Sequence, residues 1–271
     1  MRIVIASGKG GAGKTTVTAC LAAQWKGDLM LADADVEAPN LHLLLHPSFA
    51  EPETVCLEVP ELRADKCTGC GACRPICAYG AIAMLGAKPM YFQDMCHGCG
   101  GCFVVCPEQA LGVAQRELGA LLLGSVNAGG RNIPFLMGRS RVGEAMTPPL
   151  LRAQERKLAA ELKAHPADVL MDAPPGVSCP AMTAARNADV VLYIGGLNKN
   201  HYQDCEAGDR KSLSLPFGQD ELINDILAVN SNVAVVLISG NAVAMPWINR
   251  VGAIMQAWYL GSEAGNAIVS V

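Results

Sequence analysis

The chain has 271 residues, 51% hydrophobic and 17% charged, with 21 Lys and Arg against 25 Asp and Glu for a formal net charge of −4. At ~150 residues per domain this predicts about two domains, with enough chain to bury a core without disulfides. The charge balance excludes a basic footprint for nucleic acid or anionic lipid, and the apolar content excludes disorder. Few aromatics (5%) with 28 Gly and 16 Pro suit a loop-rich α/β protein better than a β-sandwich. The longest uncharged run, 226–249, is broken by Asn230, Ser231, Asn232, Ser239, Gly240, Asn241 and Pro246. It reads as buried strand plus loop, because a spanning helix needs ~20 mostly apolar residues. The start of the chain offers only Arg2 and a short apolar stretch before Gly8, too little for a signal-peptide core. A cytoplasmic protein without membrane or nucleic-acid partners is expected, and its 12 cysteines then point to metal or redox chemistry.

In chain order, Ile3-Val4-Ile5 is a short β-branched run and predicts a buried strand. Gly8-Lys9-Gly10-Gly11-Ala12-Gly13-Lys14-Thr15-Thr16 follows and fits G-x-x-x-x-G-K-[ST], with a helix expected from about Lys14 to Trp25. Glycines let backbone N–H groups close around phosphates, and the helix N-terminus adds a favourable partial charge. Lys14 is placed to reach the β- and γ-phosphates of a bound nucleotide and Thr15 to hold Mg²⁺. A second strand, Leu29-Met30-Leu31-Ala32, ends in Asp33-Ala34-Asp35, with Asn40 five residues on.

Eight cysteines fall in two runs. Cys67, Cys70, Cys73 and Cys77 form C-x₂-C-x₂-C-x₃-C, and Cys96, Cys99, Cys102 and Cys106 repeat it before Pro107. The spacing resembles that of bacterial two-cluster ferredoxins, in which the fourth cysteine of each run ligates the other cluster. The resemblance implies two [4Fe–4S] clusters, one on Cys67, Cys70, Cys73 and Cys106, the other on Cys96, Cys99, Cys102 and Cys77. Gly69, Gly71, Gly98, Gly100 and Gly101 let the backbone wrap close. Zinc is the alternative, but zinc sites usually pair two C-x₂-C units at longer separation. Ala78 departs from the pattern, where a Pro usually follows the fourth cysteine. Cys20, Cys56, Cys179 and Cys205 share no spacing, and most of them are expected to be buried small hydrophobes.

Downstream, 150–164 carries Leu150, Leu151, Leu158 and Leu162 at helical spacing. Val169-Leu170-Met171-Asp172 predicts a third strand, leading into Ala173-Pro174-Pro175-Gly176. Lys9 before Gly10-Gly11, the Asp33-Ala34-Asp35 turn and the Asp172–Gly176 segment together resemble the MinD/ParA/nitrogenase-iron-protein class of P-loop ATPases. The resemblance implies a deviant Walker A motif whose Lys9 reaches the partner's nucleotide in a homodimer. It also implies that Asp35 orients the attacking water, that Asp33 sits near the metal and that Asp172 holds a water on Mg²⁺. Lys9, Lys14 and Asp35 are thus the catalytic candidates, with Gly8, Gly10, Gly11, Ala12, Gly13, Thr15, Thr16, Asp33 and Asp172 around the nucleotide. The cysteine runs interrupt this ATPase region, as in MinD-superfamily ATPases with an inserted ferredoxin domain, and 119–149 fits that family's connecting segment. Cys179, seven residues after Asp172, is read as structural rather than as a ligand bridging two subunits.

After Ala188-Asp189-Val190-Val191-Leu192-Tyr193-Ile194 the resemblance changes. The segment from Gly195-Gly196 through Asp209-Arg210-Lys211, then Val235–Gly240, Met245-Pro246-Trp247 and Ala257-Trp258-Tyr259-Leu260-Gly261, resembles the C-terminal α/β domain of glycoside hydrolase family 3. The chain reads as a chimera, a fused, recombined or misassembled product, with its seam at 188–196. That hydrolase family carries its nucleophilic Asp on a separate barrel, absent here; Glu206, Asp209, Asp220 and Glu221 are candidate carboxylates by type only. His201 reads as a satisfied or solvated loop residue.

The expected fold is α/β: a parallel P-loop NTPase sheet (1–61 and 113–194), interrupted by a ferredoxin-like two-cluster insert (62–112), with an α/β C-terminal segment of different origin (195–271). A helix at 220–229, strands at 233–238 and 253–259 and a helix from 263 could extend the parallel sheet. The expected function is ATP hydrolysis coupled to an electron-transfer domain with an unknown redox partner protein. The alternatives are a non-enzymatic electron or cluster carrier on an incomplete ATPase scaffold and, more remotely, a carbohydrate-active fragment.

Overall fold

The computed structural model describes residues 1–8, 10–198, 203–204 and 210–271; Lys9, His201, Cys205, Glu206 and Asp209 lie outside the described residues. The elements run β1 (Arg2–Ser7), α1 (Lys14–Gln24), β2 (Leu29–Asp33), α2 (Leu41–Leu45), β3 (Ser48–Phe49), β4 (Glu53–Leu62), α3 (Cys73–Ile76), β5 (Ile82–Leu85) and β6 (Lys88–Tyr91). They continue with α4 (Gly101–Val105), β7 (Leu111–Ala128), β8 (Arg131–Ser140), α5 (Pro148–Ala164), β9 (Asp168–Asp172), α6 (Cys179–Arg186) and β10 (Val190–Gly196). The last five are α7 (Gln219–Val229), β11 (Val233–Ile238), β12 (Ala253–Gln256), a 3-10 turn at Gly261–Glu263 and α8 (Ala264–Val269).

The chain forms two compact units, one of Met1–Pro52, Leu121–Arg139 and Leu151–Val271, the other of Glu53–Ala120 and Ser140–Leu150. In the first, a sheet runs in the order β12-β11-β10-β1-β9-β2-β8-β7-β3. It is parallel from β12 through β8, and β3 joins β7 antiparallel. Parallel strands are covered on both faces and so read as continuous apolar runs; Val4, Ile5, Leu31, Leu170 and Val191 are fully buried. The register pairs Asp33 with Asp172, which brings the carboxyl-end acids of β2 and β9 side by side.

The C-terminal segment continues this sheet, as the alternation of strands and helices predicts. Val191 pairs with Val233 and Ala234 with Ala253, both in parallel, and the last strand stops at Gln256. Tyr193, Leu222, Ile223, Leu237 and Trp247 share one buried core across 188–196. The Trp247 indole donates to Asp220 at 2.8 Å and the Leu215 amide to its other oxygen at 3.1 Å. Asp220 therefore anchors the core through both of its oxygens; Glu221 lies in the first turn of α7.

The second unit contains β4, α3, the β5–β6 hairpin, α4 and the first half of β7. Its buried centre is small: Cys73, Ile82, Cys102 and Leu111, with Leu62, Cys77, Tyr91, Phe103 and Cys106 packed around them. The segment 119–149 turned out to carry the long strands β7 and β8, joined through Gly129-Gly130. Arg116, Glu117, Gly119 and Gly124 interrupt any clean alternation, so no strand pattern shows in the sequence. The expectation of buried spare cysteines is corrected at two positions, since Cys56 and Cys179 are exposed. Cys56 lies on the outer face of alternating β4, and Cys179 opens α6 just after the Ser178 cap, whose hydroxyl accepts from Ala181 N at 3.3 Å.

Candidate phosphate and thiolate sites

In the first unit, β1 delivers the chain into a glycine loop that turns into α1. Gly13 caps that helix at φ 92°, a left-handed conformation that costs a residue with a Cβ roughly 1–2 kcal/mol. Gly10, Gly11 and Gly13 have open space where a Cβ would stand, so backbone N–H groups can close on a ligand. Ala12 completes the loop. Burial raises the carboxyls of both Asp172 and Asp35 above the ordinary carboxylate value, and the charge of Lys14, itself 8% exposed, draws them part of the way back.

Thr15 Oγ1 donates to Asp172 Oδ2 at 2.7 Å. Asp172 is buried, and its other oxygen, Oδ1, is buried without a partner. Leaving such an atom unsatisfied costs about 1–3 kcal/mol, more for a charge. The free oxygen beside the Thr15 hydroxyl and the Lys14 ammonium suits a hydrated divalent cation, so the residues fit Mg²⁺.

Asp33 ties down the loop that follows β2. It is fully buried; Oδ1 accepts from Asp35 N at 3.0 Å, and Oδ2 from Asn40 N and Leu41 N, each at 3.0 Å. Both oxygens thus bind the 35–41 loop, beside Asp172 in the register. Burial first, then the neighbouring Asp172, raises its carboxyl to about 7 despite those bonds. Gln154 of α5 adds a bond to the Asp33 carbonyl at 2.7 Å. Asp35, half-buried, accepts from Ala38 N at 3.2 Å.

Two residues absent from the sequence-derived set touch the phosphate loop. A Cβ on Gly8 would lie 2.8 Å from Gln219 Cγ and 2.9 Å from the Tyr193 hydroxyl. Gln219 is buried; its Oε1 accepts from Gly196 N at 2.8 Å and its Nε2 donates to Gly196 O at 2.8 Å and Pro216 O at 3.0 Å. The C-terminal segment also reaches α1, where a Cβ on Gly265 would meet Cys20 Sγ at 2.6 Å and Thr16 Cγ2 at 3.2 Å. No motif marks Gln219 or Gly265, because the first acts through backbone hydrogen bonds to a distant turn and the second through close packing.

In the second unit, two pockets divide the cysteine runs. One is lined by Cys67, Cys70, Cys73 and Cys106, the other by Cys77, Cys96, Cys99 and Cys102. Each takes three cysteines of one run and the fourth of the other. Gly69 (φ 73°) admits the first loop, since a Cβ there would stand 2.2 Å from the Ala87 carbonyl oxygen. Ala110 N donates to Cys106 Sγ at 3.2 Å and Gly98 N to Cys96 Sγ at 3.4 Å. Arg116 donates to the Cys96 carbonyl at 3.1 Å and to buried Glu144 at 2.5 Å. Among the described residues, no three His, Cys, Asp or Glu side chains converge on one metal-ion position. Four thiolates around each pocket fit a [4Fe–4S] cube, which gives each thiolate its own iron corner.

Comparison with known proteins divides along the same chain. The 4Fe-4S binding domain matches residues 64–80, across the first cysteine run. The Glycosyl hydrolase family 3 C-terminal domain matches residues 79–271. The chain belongs to that domain family. The match begins far upstream of 188–196, where the sequence alone places the change of family. Beta-glucosidase BoGH3A of Bacteroides ovatus is 55% identical over 91 residues, 34% of this chain and 12% of that protein; the chain spans about an eighth of that relative's length. Protein MJ0578 of Methanocaldococcus jannaschii is 34% identical over 211 residues, covering 76% of this chain and 71% of its own, so the chain belongs with MJ0578 as well. Among solved structures, the septum site-determining protein MinD with Mg-ADP from Pyrococcus horikoshii overlays 98% of this chain and 85% of its own at 15% identity and a TM-score of 0.44. Among the described residues, no helix is long and apolar enough to cross a membrane.

Proposed function

We propose that the chain is a MinD-like, Mg²⁺-dependent ATPase whose nucleotide state is coupled to an inserted domain with two [4Fe–4S] clusters. The reading rests on the Thr15–Asp172 hydrogen bond and the free, buried Asp172 Oδ1 at the mouth of a glycine loop. Mg²⁺ bound there would neutralise phosphate charge. Loop N–H groups and Lys14 hold the β- and γ-phosphates, Thr15 and Asp172 set the cation's side of the site, and Asp35 orients the attacking water. Asp33 keeps the 35–41 loop folded so that Asp35 stays in place. Asp33–Asn40 and Asp172–Gly176 then form the two segments that register the γ-phosphate. By the family resemblance, Lys9 completes the site in a homodimer.

In the second unit, Cys67, Cys70, Cys73 and Cys106 would hold one cluster and Cys77, Cys96, Cys99 and Cys102 the other. Bound there, the clusters would supply one-electron transfer at low potential with a separate redox protein. Strand β7 passes from the second unit into the first and offers a continuous covalent link for coupling. We place this activity in the cytoplasm. The chain as a whole is proposed to be a chimera whose family 3 segment completes the sheet.

The decisive experiment is Mg²⁺-dependent ATP binding by the anaerobically prepared full chain and by Lys14→Ala. Binding lost in the variant supports the reading; undiminished ATP affinity in Lys14→Ala overturns it. A second reading, a cluster or electron carrier on an incomplete ATPase scaffold, is favoured by the 55% identity of one third of the chain to a β-glucosidase. It predicts reversible cluster reduction with no ATP turnover.

A further inference from the structure

Gln219 opens α7 in the C-terminal segment and is buried. A glutamine amide has two acceptor positions and two donors, and here all four are used. Its Oε1 accepts from Gly196 N at 2.8 Å and from the Tyr193 hydroxyl at 3.4 Å, while Nε2 donates to Gly196 O at 2.8 Å and Pro216 O at 3.0 Å. A buried amide with every bond made is rigid, because any rotation leaves a polar group unsatisfied in a dry site. Tyr193, fully buried on β10, is fixed beside it.

This pair forms a wall against the entry of the phosphate loop. A Cβ on Gly8 would stand 2.8 Å from Gln219 Cγ, an atom in mid-chain that cannot swing aside while the amide is pinned. A Cβ on Gly195 would stand 2.5 Å from Gln219 Oε1 and 2.5 Å from Tyr193 Cε1. The backbone at Gly8 is not left-handed, so contact with the wall, and not conformation, excludes a side chain there. Strand β1 lies between β10 and β9, and on the β9 side Gly176 N donates to Ser7 O at 2.9 Å. The Ser7–Gly8 link is thus gripped between the Asp172–Gly176 segment and the C-terminal segment. Gly10, Gly11 and Gly13, by contrast, face open space. The loop is free where phosphate would sit and fixed where it leaves β1.

We propose that Gln219, braced by Tyr193, is a positioning residue of the nucleotide site: it sets where the phosphate loop leaves β1 and thereby the affinity for Mg-ATP. It acts through Gly8 and not through a bond to the nucleotide. This rests on the ATPase reading above and gives the C-terminal segment a part in nucleotide binding.

The test is Mg²⁺-dependent binding of a fluorescent, non-hydrolysable ATP analogue to the anaerobically prepared full chain. Wild type, Gly8→Ala, Gln219→Ala and the double variant are compared, with far-UV circular dichroism to check each fold. A wild type that binds no nucleotide would overturn the ATPase reading itself, whatever Gln219 does. With wild-type binding in hand, Gly8→Ala should weaken it about tenfold or more, because the new methyl group pushes the loop off the wall. In the Gln219→Ala background the same substitution should cost less than about threefold, since the closest atom is gone; residues in contact couple on this scale. If Gln219 served only the stability of its own core, the two losses would multiply. Multiplying losses, or wild-type affinity in Gly8→Ala, would overturn the proposal. Should an alanine variant fail to fold, Tyr193→Phe decides, because it removes only the hydroxyl 2.9 Å from the Gly8 Cβ position. Binding weakened about threefold in that variant supports the proposal, and wild-type affinity contradicts it.

Discussion

The phosphate site and the thiolate site are built on opposite principles. The first stands at the carboxyl edge of a sheet whose strands are buried end to end, with Val4, Ile5, Leu31 and Leu170 fully enclosed. Its surroundings are held by protein alone: Asp33 gathers three backbone amides, and Gln219 and Tyr193 back Gly8. The second has a core in which four of the nine residues are cysteines of the two runs. There the ligand sites and the hydrophobic centre are the same residues. A region that packs without its ligand can keep an open site, whereas a region whose core is the ligand shell folds with its metal.

The largest effect should come from breaking that difference directly. Removing iron by oxidation and chelation should erase amide-exchange protection in Glu53–Ala120 while leaving β1, β9 and β10 protected. Equal loss in both units would contradict the contrast. Next, Lys14→Ala should cut ATP turnover by at least about a hundredfold, the scale seen when one preorganised charge-stabilising donor is removed, with iron content unchanged. Trp247→Ala, which empties a fully buried site in the C-terminal core and frees Asp220, should cost about 3–5 kcal/mol in urea unfolding of the first unit. A value below 1 kcal/mol would mean that the C-terminal segment is a passenger on the sheet.

The smallest effect concerns pH. Because the folded-state carboxyl of Asp33 titrates at about 7 instead of 3.8, the unfolded chain releases this proton first as pH rises. Asp33 therefore lowers stability progressively between about pH 4 and 7, by at most ~1.4 kcal/mol per unit, and adds no slope above or below that window. Asp33→Asn should flatten the dependence over that range; an unchanged slope would show that another group carries it.

Much of this was legible in the sequence where the chemistry constrains spacing. The glycine loop, Asp172 on β9 and the crossed cysteine sets are local patterns, and Lys14, Thr15 and Asp172 come together as their order suggests. The strand and helix runs after 188 were equally readable, since apolar periodicity there is clean. What escaped depends on packing between distant segments. Gln219 and Gly265 bear no motif, and their parts appear only when α7 and α8 meet the loop and α1. That Asp33 gathers three amides of the 35–41 loop is likewise visible only in the folded chain. Strand β7 is hidden because glycines and the Arg116–Glu117 pair break its alternation, and β8 because Pro134 and the run Phe135-Leu136-Met137 do not alternate.

The most direct measurement of the central claim is ATP hydrolysis by the anaerobic, cluster-loaded full chain, with clusters oxidised and with clusters reduced, beside Lys14→Ala. Coupling predicts Mg²⁺-dependent turnover that changes with cluster oxidation state and disappears in Lys14→Ala. Turnover identical in both oxidation states would contradict coupling, and no turnover with eight irons in place would leave an iron–sulfur carrier on an idle nucleotide fold.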